Sequence, residues 1–178
     1  SMDAKATNEI IDTIANEENI GIARLIVRNY KNAKIKIAHE LFDKFGEIES
    51  ILRKILGDGY ERSEKGKFGG KDFILRYDID GIEDVRIAIL FGDSPTEKEE
   101  LVRLKINLEF KGGKNTPEAE KSAAIEKYRA LLADIPHQVN PTEYSAWRMQ
   151  FDPWETQKRE ILDCFAKMLS ALKKAKGE

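Results

Sequence analysis

Two runs of strict alternation near the middle of the chain constrain its fold more than any other feature. Val85, Ile87, Ile89 and Phe91 occupy every second position of one run, and Leu104, Ile106, Leu108 and Phe110 every second position of the next. Successive side chains of a strand point to opposite faces, so an apolar period of two marks a strand with one buried side. Paired antiparallel, the two strands bury both apolar sets on a shared face. Asp84, Glu109 and Lys111 fall on the opposite face, and the same pairing brings the start of the first strand beside the end of the second. By this register two carboxylates and a lysine meet.

A third run, Phe73, Leu75, Tyr77 and Ile79, leads into the first through Asp80-Gly81, a strong hairpin signal. A two-residue turn would put its apolar set on the wrong face, because a slip of one residue flips every side chain. An odd-length loop with Gly81 at a positive φ restores agreement. In that register Asp78 is expected opposite or nearly opposite Asp84, an arrangement of like charges that is unfavourable unless a cation or proton intervenes. Ser145, Trp147, Met149 and Phe151 alternate in a further run. Strands are therefore expected near 72–79, 84–92, 102–110 and 144–151.

Residues 8–56 read as helix almost throughout. Ile10, Ile11 and Ile14 form one apolar stripe, Ile22, Leu25 and Ile26 a second, and the series from Ile37 to Leu56 a third. Asn19 is expected to cap the second helix, and a break is expected at Asn29–Asn32. The organisation expected is an N-terminal helical extension over 1–32 and a single α+β domain over 33–178. Three stripes are more apolar surface than one small sheet needs, so the N-terminal helices are expected to form a homodimer. Further helices are signalled by Ser94-Pro95-Thr96-Glu97 and Asp152-Pro153-Trp154-Glu155, both capping boxes, and by Thr116 ahead of Pro117.

Positive charge is concentrated between the first helices and the first strand. Arg62, Lys65, Lys67 and Lys71 are interleaved with Gly66, Gly69 and Gly70, which reads as a mobile basic loop able to hold a phosphate backbone, with Lys114 in a second glycine-containing turn adding to it. A local patch would have to carry any such binding, since the whole chain of 178 residues has a formal charge of only −2. No stretch approaches the roughly 20 apolar residues of a membrane helix. Ser1 before Met2 reads as a cloning remnant, and no signal-peptide pattern follows. The one cysteine, Cys164, allows no internal disulfide and no cysteine-based metal site, and it reads as a small core residue. Together these features suggest a cytoplasmic protein.

The order helix, three-stranded meander, helix, strand, helix, with Asp84 opening the second strand and Glu109-Phe110-Lys111 ending the third, resembles the core of the PD-(D/E)XK nuclease superfamily. The resemblance covers residues 33–151 as topology and three residues as motif. It implies Mg²⁺ held by Asp84 and Glu109, with Asp78 as an accessory acid. Lys111 would position or activate water, and a phosphodiester of nucleic acid would be hydrolysed. Glu83 stands where that family's motif carries proline. The other reading is a non-catalytic α+β module that engages a protein partner or small ligand, since a fold does not fix a function. Ala88 and Leu90, on the otherwise polar face of the central strand, suggest that both faces of the sheet are covered.

Overall fold

The computed structural model describes residues 2–44, 46–65, 73–92, 103–152 and 158–177. Its helices are α1 (Met2–Ile14), α2 (Glu17–Lys44), α3 (Glu47–Leu56), α4 (Glu118–Leu131) and α5 (Lys158–Ala175). Its strands are β1 (Tyr60–Lys65), β2 (Phe73–Ile79), β3 (Val85–Gly92), β4 (Arg103–Phe110), β5 (Gln138–Val139) and β6 (Ser145–Phe151). They form one sheet in the order β1-β2-β3-β4-β6-β5, and every neighbouring pair is antiparallel. The chain is thus an α+β protein, and among its described residues no helix is long and apolar enough to cross a membrane.

The sheet register follows the alternation. Val85 pairs with Phe110 and Phe91 with Leu104, while Leu75 pairs with Ile89 and Tyr77 with Ile87, so the three apolar sets share a face. The connection from β2 to β3 has an odd number of residues, 80–84, with Gly81 at φ +83°. A side chain there would be strained as well as crowded, because an added Cβ would lie 3.0 Å from the Lys176 side chain.

On the apolar face sit three helices. Ile48 and Leu52 of α3, Ala124 and Tyr128 of α4, and Ile161, Phe165, Met168, Leu169 and Leu172 of α5 are all buried. The Tyr77 hydroxyl donates to Glu49 of α3 at 3.2 Å, and the Lys121 ammonium of α4 lies 5.9 Å from the centre of the Phe110 ring. Cys164 is buried among these residues, and burial pushes its thiol pKa up, which fits a structural role. Near β6, Trp147 Nε1 donates to Gln138 at 2.8 Å, and the Gln138 amide donates in turn to the carbonyls of Leu132 and Ile135. That network ties β5 to the end of α4.

Several expectations need correction. No break occurs at 29–32: α2 runs through Asn29, whose amide donates to the Leu25 carbonyl one turn back at 2.9 Å, so the side chain stays within the helix. The interruption falls instead at Gly46, ahead of α3, and divides the stripe read as one helix from Ile37 to Leu56. Asn16 rather than Asn19 caps α2, its side chain accepting from the Asn19 amide at 2.8 Å. Thr116 does not cap α4, because its hydroxyl turns back to the Gly113 carbonyl. Part of the expected basic loop is strand: Arg62 and Lys65 lie in β1, paired with β2. The capping boxes at 94–97 and 152–155, and Lys67 and Lys71, fall wholly or partly outside the described residues.

The chain divides into two compact units, Ser1–His39 and Glu40–Glu178. The first holds α1 and most of α2. Among the described residues, eight of the ten large apolar side chains that are exposed lie between residues 10 and 30.

Candidate functional site

The ends of β3 and β4 meet as the register requires: the Lys111 amide donates to the Asp84 carbonyl at 3.1 Å, and Arg86 pairs with Glu109. The side chains diverge. Asp84 precedes the first residue of β3, so the ladder's alternation no longer holds it. Its carboxylate turns to α4, where Oδ1 accepts from the Tyr128 hydroxyl at 2.6 Å and Oδ2 lies 3.5 Å from the Lys127 ammonium. Lys111 Nζ donates to the Ile82 carbonyl at 2.7 Å. Glu109 stays on the polar face, where its Oε1 accepts from Arg76 Nε at 2.8 Å. Among the described residues, no side-chain hydrogen bond or ion pair joins any two of Asp84, Glu109 and Lys111.

The Arg76–Glu109 pair spans two strand spacings, from β2 over β3 to β4. Arg76 is registered with Ala88, and Ala88 with Asn107. A methyl side chain beneath the guanidinium leaves room for that crossing, and Ala88 is fully buried. Asp78 does not face Asp84 as expected. Continuing the β2–β3 register places it opposite Arg86, with 3.6 Å between its Oδ1 and Arg86 Nε. A connection of 80–82 would have set Asp78 against Asp84; the connection of 80–84 is longer by two residues and moves the partner to Arg86. Neither of these two atoms makes a hydrogen bond among the described residues, and the buried Oδ1 of Asn107 has none there either.

These placements decide how well the residues suit the divalent cation that the resemblance implies. Mg²⁺ takes carboxylate and water oxygens in near-octahedral geometry and needs an excess of negative charge. Here three carboxylates (Asp78, Asp84, Glu109) stand among four cations (Arg76, Arg86, Lys111, Lys127), and each carboxylate is matched by one of them. Among the described residues no three His, Cys, Asp or Glu side chains converge on a point that could hold a metal ion. As placed, the donor set does not fit Mg²⁺. A cleft of about 210 Å³ lined by Asp84, Lys111, Thr116 and Glu120 does open beside the ends of these strands.

Of the expected nucleic-acid contacts, Arg62 pairs with Glu49 at 3.2 Å, whereas the Lys114 residue is exposed and only its carbonyl is engaged, accepting from Lys121 at 2.6 Å. The sequence reading missed Arg76, Tyr128 and Lys127 as partners of the candidate residues. A signal was present for Arg76, since an alanine in the middle of a polar strand face marks where a long side chain passes over.

Burial, followed by the hydrogen bond and the charge of Asp84, raises the Tyr128 pKa well above 10.0, and burial beside Glu49 does the same for Tyr77. A folded-state pKa above the unfolded value means that the stability contributed is complete below pH 10.0 and is lost as pH climbs toward the folded values. Urea midpoints should therefore be flat from neutral pH to about 9.5 and then fall steeply. In Tyr77→Phe and Tyr128→Phe chains that fall should be shallower, which a pH series of denaturation curves checks.

An antiparallel six-stranded sheet, with three helices on one face and a ladder of ion pairs on the other, defines the class of this unit. No family model, curated protein or solved structure gives a significant match to the chain.

Proposed function

We propose that the chain is a non-catalytic protein-interaction module, with its N-terminal helices as the contact surface. The observation that carries this reading is the concentration of exposed apolar side chains in one helical unit. Ile10, Ile11, Ile20, Ile22, Leu25, Ile26 and Val27 are each more than half exposed. A fully buried aliphatic side chain contributes about 1.5–3 kcal/mol, so half-covering seven such residues on each of two surfaces is worth on the order of 10 kcal/mol. Association costs about 4–15 kcal/mol, so burial of such a surface offsets a large part of that cost. Large contiguous exposed apolar patches mark interaction sites, and all seven of these side chains fall between residues 10 and 27. The ion pairs of Asp84 and Glu109 and the hydrogen bond from Lys111 to the Ile82 carbonyl support the same reading, because engaged side chains are poor ligands and poor proton carriers.

Calorimetric titration with MgCl₂ and MnCl₂, run beside cleavage assays on single- and double-stranded DNA and RNA, tests this against the nuclease alternative. The expected result is no saturable heat at millimolar metal and no cleavage, with wild type indistinguishable from Glu109→Gln. Divalent-dependent cleavage that disappears in Glu109→Gln would overturn the proposal.

A further inference from the structure

We propose that the occupant of the N-terminal contact surface is a second copy of this chain, lying antiparallel to the first with the two-fold axis near Gly21. This rests on the interaction-module reading and adds partner and orientation to it.

The order of charges along the chain favours this orientation. Between residues 3 and 18 the sequence carries Asp3, Glu9, Asp12, Glu17 and Glu18 against Lys5 alone. Between residues 24 and 36 it carries Arg24, Arg28, Lys31, Lys34 and Lys36 and no acid. Glu17, Glu18, Arg24 and Arg28 are exposed, and none of them has an ion-pair partner among the described residues. Arg24 and Arg28 stand at i and i+4 of α2, a like-charge spacing that destabilises a solitary helix. A block of opposite sign lying alongside removes that penalty. Within one chain the acidic block precedes the basic block, so two parallel copies would set like against like. Two antiparallel copies set each acidic block against the other's basic block, and the arrangement is isologous and closes at two.

The centre of symmetry carries its own mark. Glu18 and Arg24 stand three residues to either side of Gly21. Gly21 lies inside α2, where glycine is unfavourable relative to alanine, and a Cβ added there would meet nothing within 4 Å. The α2 backbone is thus bare at the point where two antiparallel helices would cross closest. Ile20 and Ile22, exposed on either side of it, would exchange places across the axis, Ile20 of each copy facing Ile22 of the other.

Light scattering on the full chain at about 100 µM and low salt gives the first readout. The expected mass is twice 20.3 kDa, falling toward the monomer as salt is raised. Glu17→Arg/Glu18→Arg should weaken dimerisation about 10-fold or more, and Arg24→Glu/Arg28→Glu likewise, because facing like charges oppose association. Mixing the two variants should restore a dimer, as should all four substitutions in one chain. That recovery separates a charge-pairing role from damage to the helix. Gly21→Leu should raise helicity by circular dichroism while weakening the dimer.

A wild-type chain that stays monomeric overturns the proposal, as does a dimer unmoved by either charge swap. A swap variant that pairs with wild type rather than with the opposite variant overturns the antiparallel order. The interaction-module reading is judged separately, by the metal and cleavage assays and by amide exchange over residues 10–30 in dilute protein. Fast exchange keeps a surface available for another protein, and slow exchange in a monomer removes it.

Discussion

Replacing Arg76 by alanine should cost about 2–3 kcal/mol of folding stability. The guanidinium and the Glu109 carboxylate meet at 2.8 Å with side-chain exposures of 28% and 15%. Loss of one partner from a fully buried pair costs about 3–5 kcal/mol, because the other charge is left without compensation, and the partial exposure here reduces that figure. Glu109→Ala should cost a similar amount, and the double variant should cost less than the sum of the two. A coupling energy above about 1 kcal/mol from urea denaturation of the four proteins would establish the pair. Were Glu109 instead a free carboxylate poised for a metal, its removal would leave stability unchanged or improved, so the same measurements bear on the nuclease reading.

The second large effect lies in the helical layer. Phe165 is fully buried in α5, among Met168, Leu169 and Leu172 of the same helix. Phe165→Ala removes most of a ring's worth of packing and leaves a cavity that the surrounding helices and sheet can only partly close, which costs about 3–5 kcal/mol. For a chain of this size that corresponds to a fall in Tm on the order of 10 °C. Phe165→Leu, which keeps most of the volume, should cost less than half as much.

The sheet was legible in the sequence wherever one face is buried and the other is not. The run from Val85 to Phe91 and the run from Leu104 to Phe110 each state their own register, and the strands lie within about a residue of the expected bounds. β1 was missed because Tyr60–Lys65 is charged at four of its six positions and shows no apolar period. Its strand state comes from pairing with β2, a tertiary cause that local pattern does not carry. β5 has two residues and is held by pairing with β6, while the side chain of its Gln138 works as a connector.

The candidate site was legible only as backbone. Alternation placed Asp84 next to Lys111 correctly at the main chain, but it holds a side chain to a face only within the ladder. Asp84 lies one residue outside it, and Tyr128 of α4, 44 positions away in sequence, decides where its carboxylate points. The helix boundaries failed for a related reason. Asn29 and Asn32 are frequent breakers, yet an asparagine that bonds its own helix's carbonyl, as Asn29 does, is tolerated in the interior.

The two margins of the sheet carry a further consequence. β5 ends one side after two residues. β1 ends the other with a register shift between Arg62 and Glu64, in a strand whose sequence is Tyr-Glu-Arg-Ser-Glu-Lys. A neighbouring molecule seeking main-chain hydrogen bonds finds a stub at one margin and a kinked, densely charged strand at the other. Edge-to-edge pairing into fibres is thereby disfavoured at both margins. A concentrated solution of this chain should stay clear even though about a fifth of its residues form one antiparallel sheet with a largely apolar inner face.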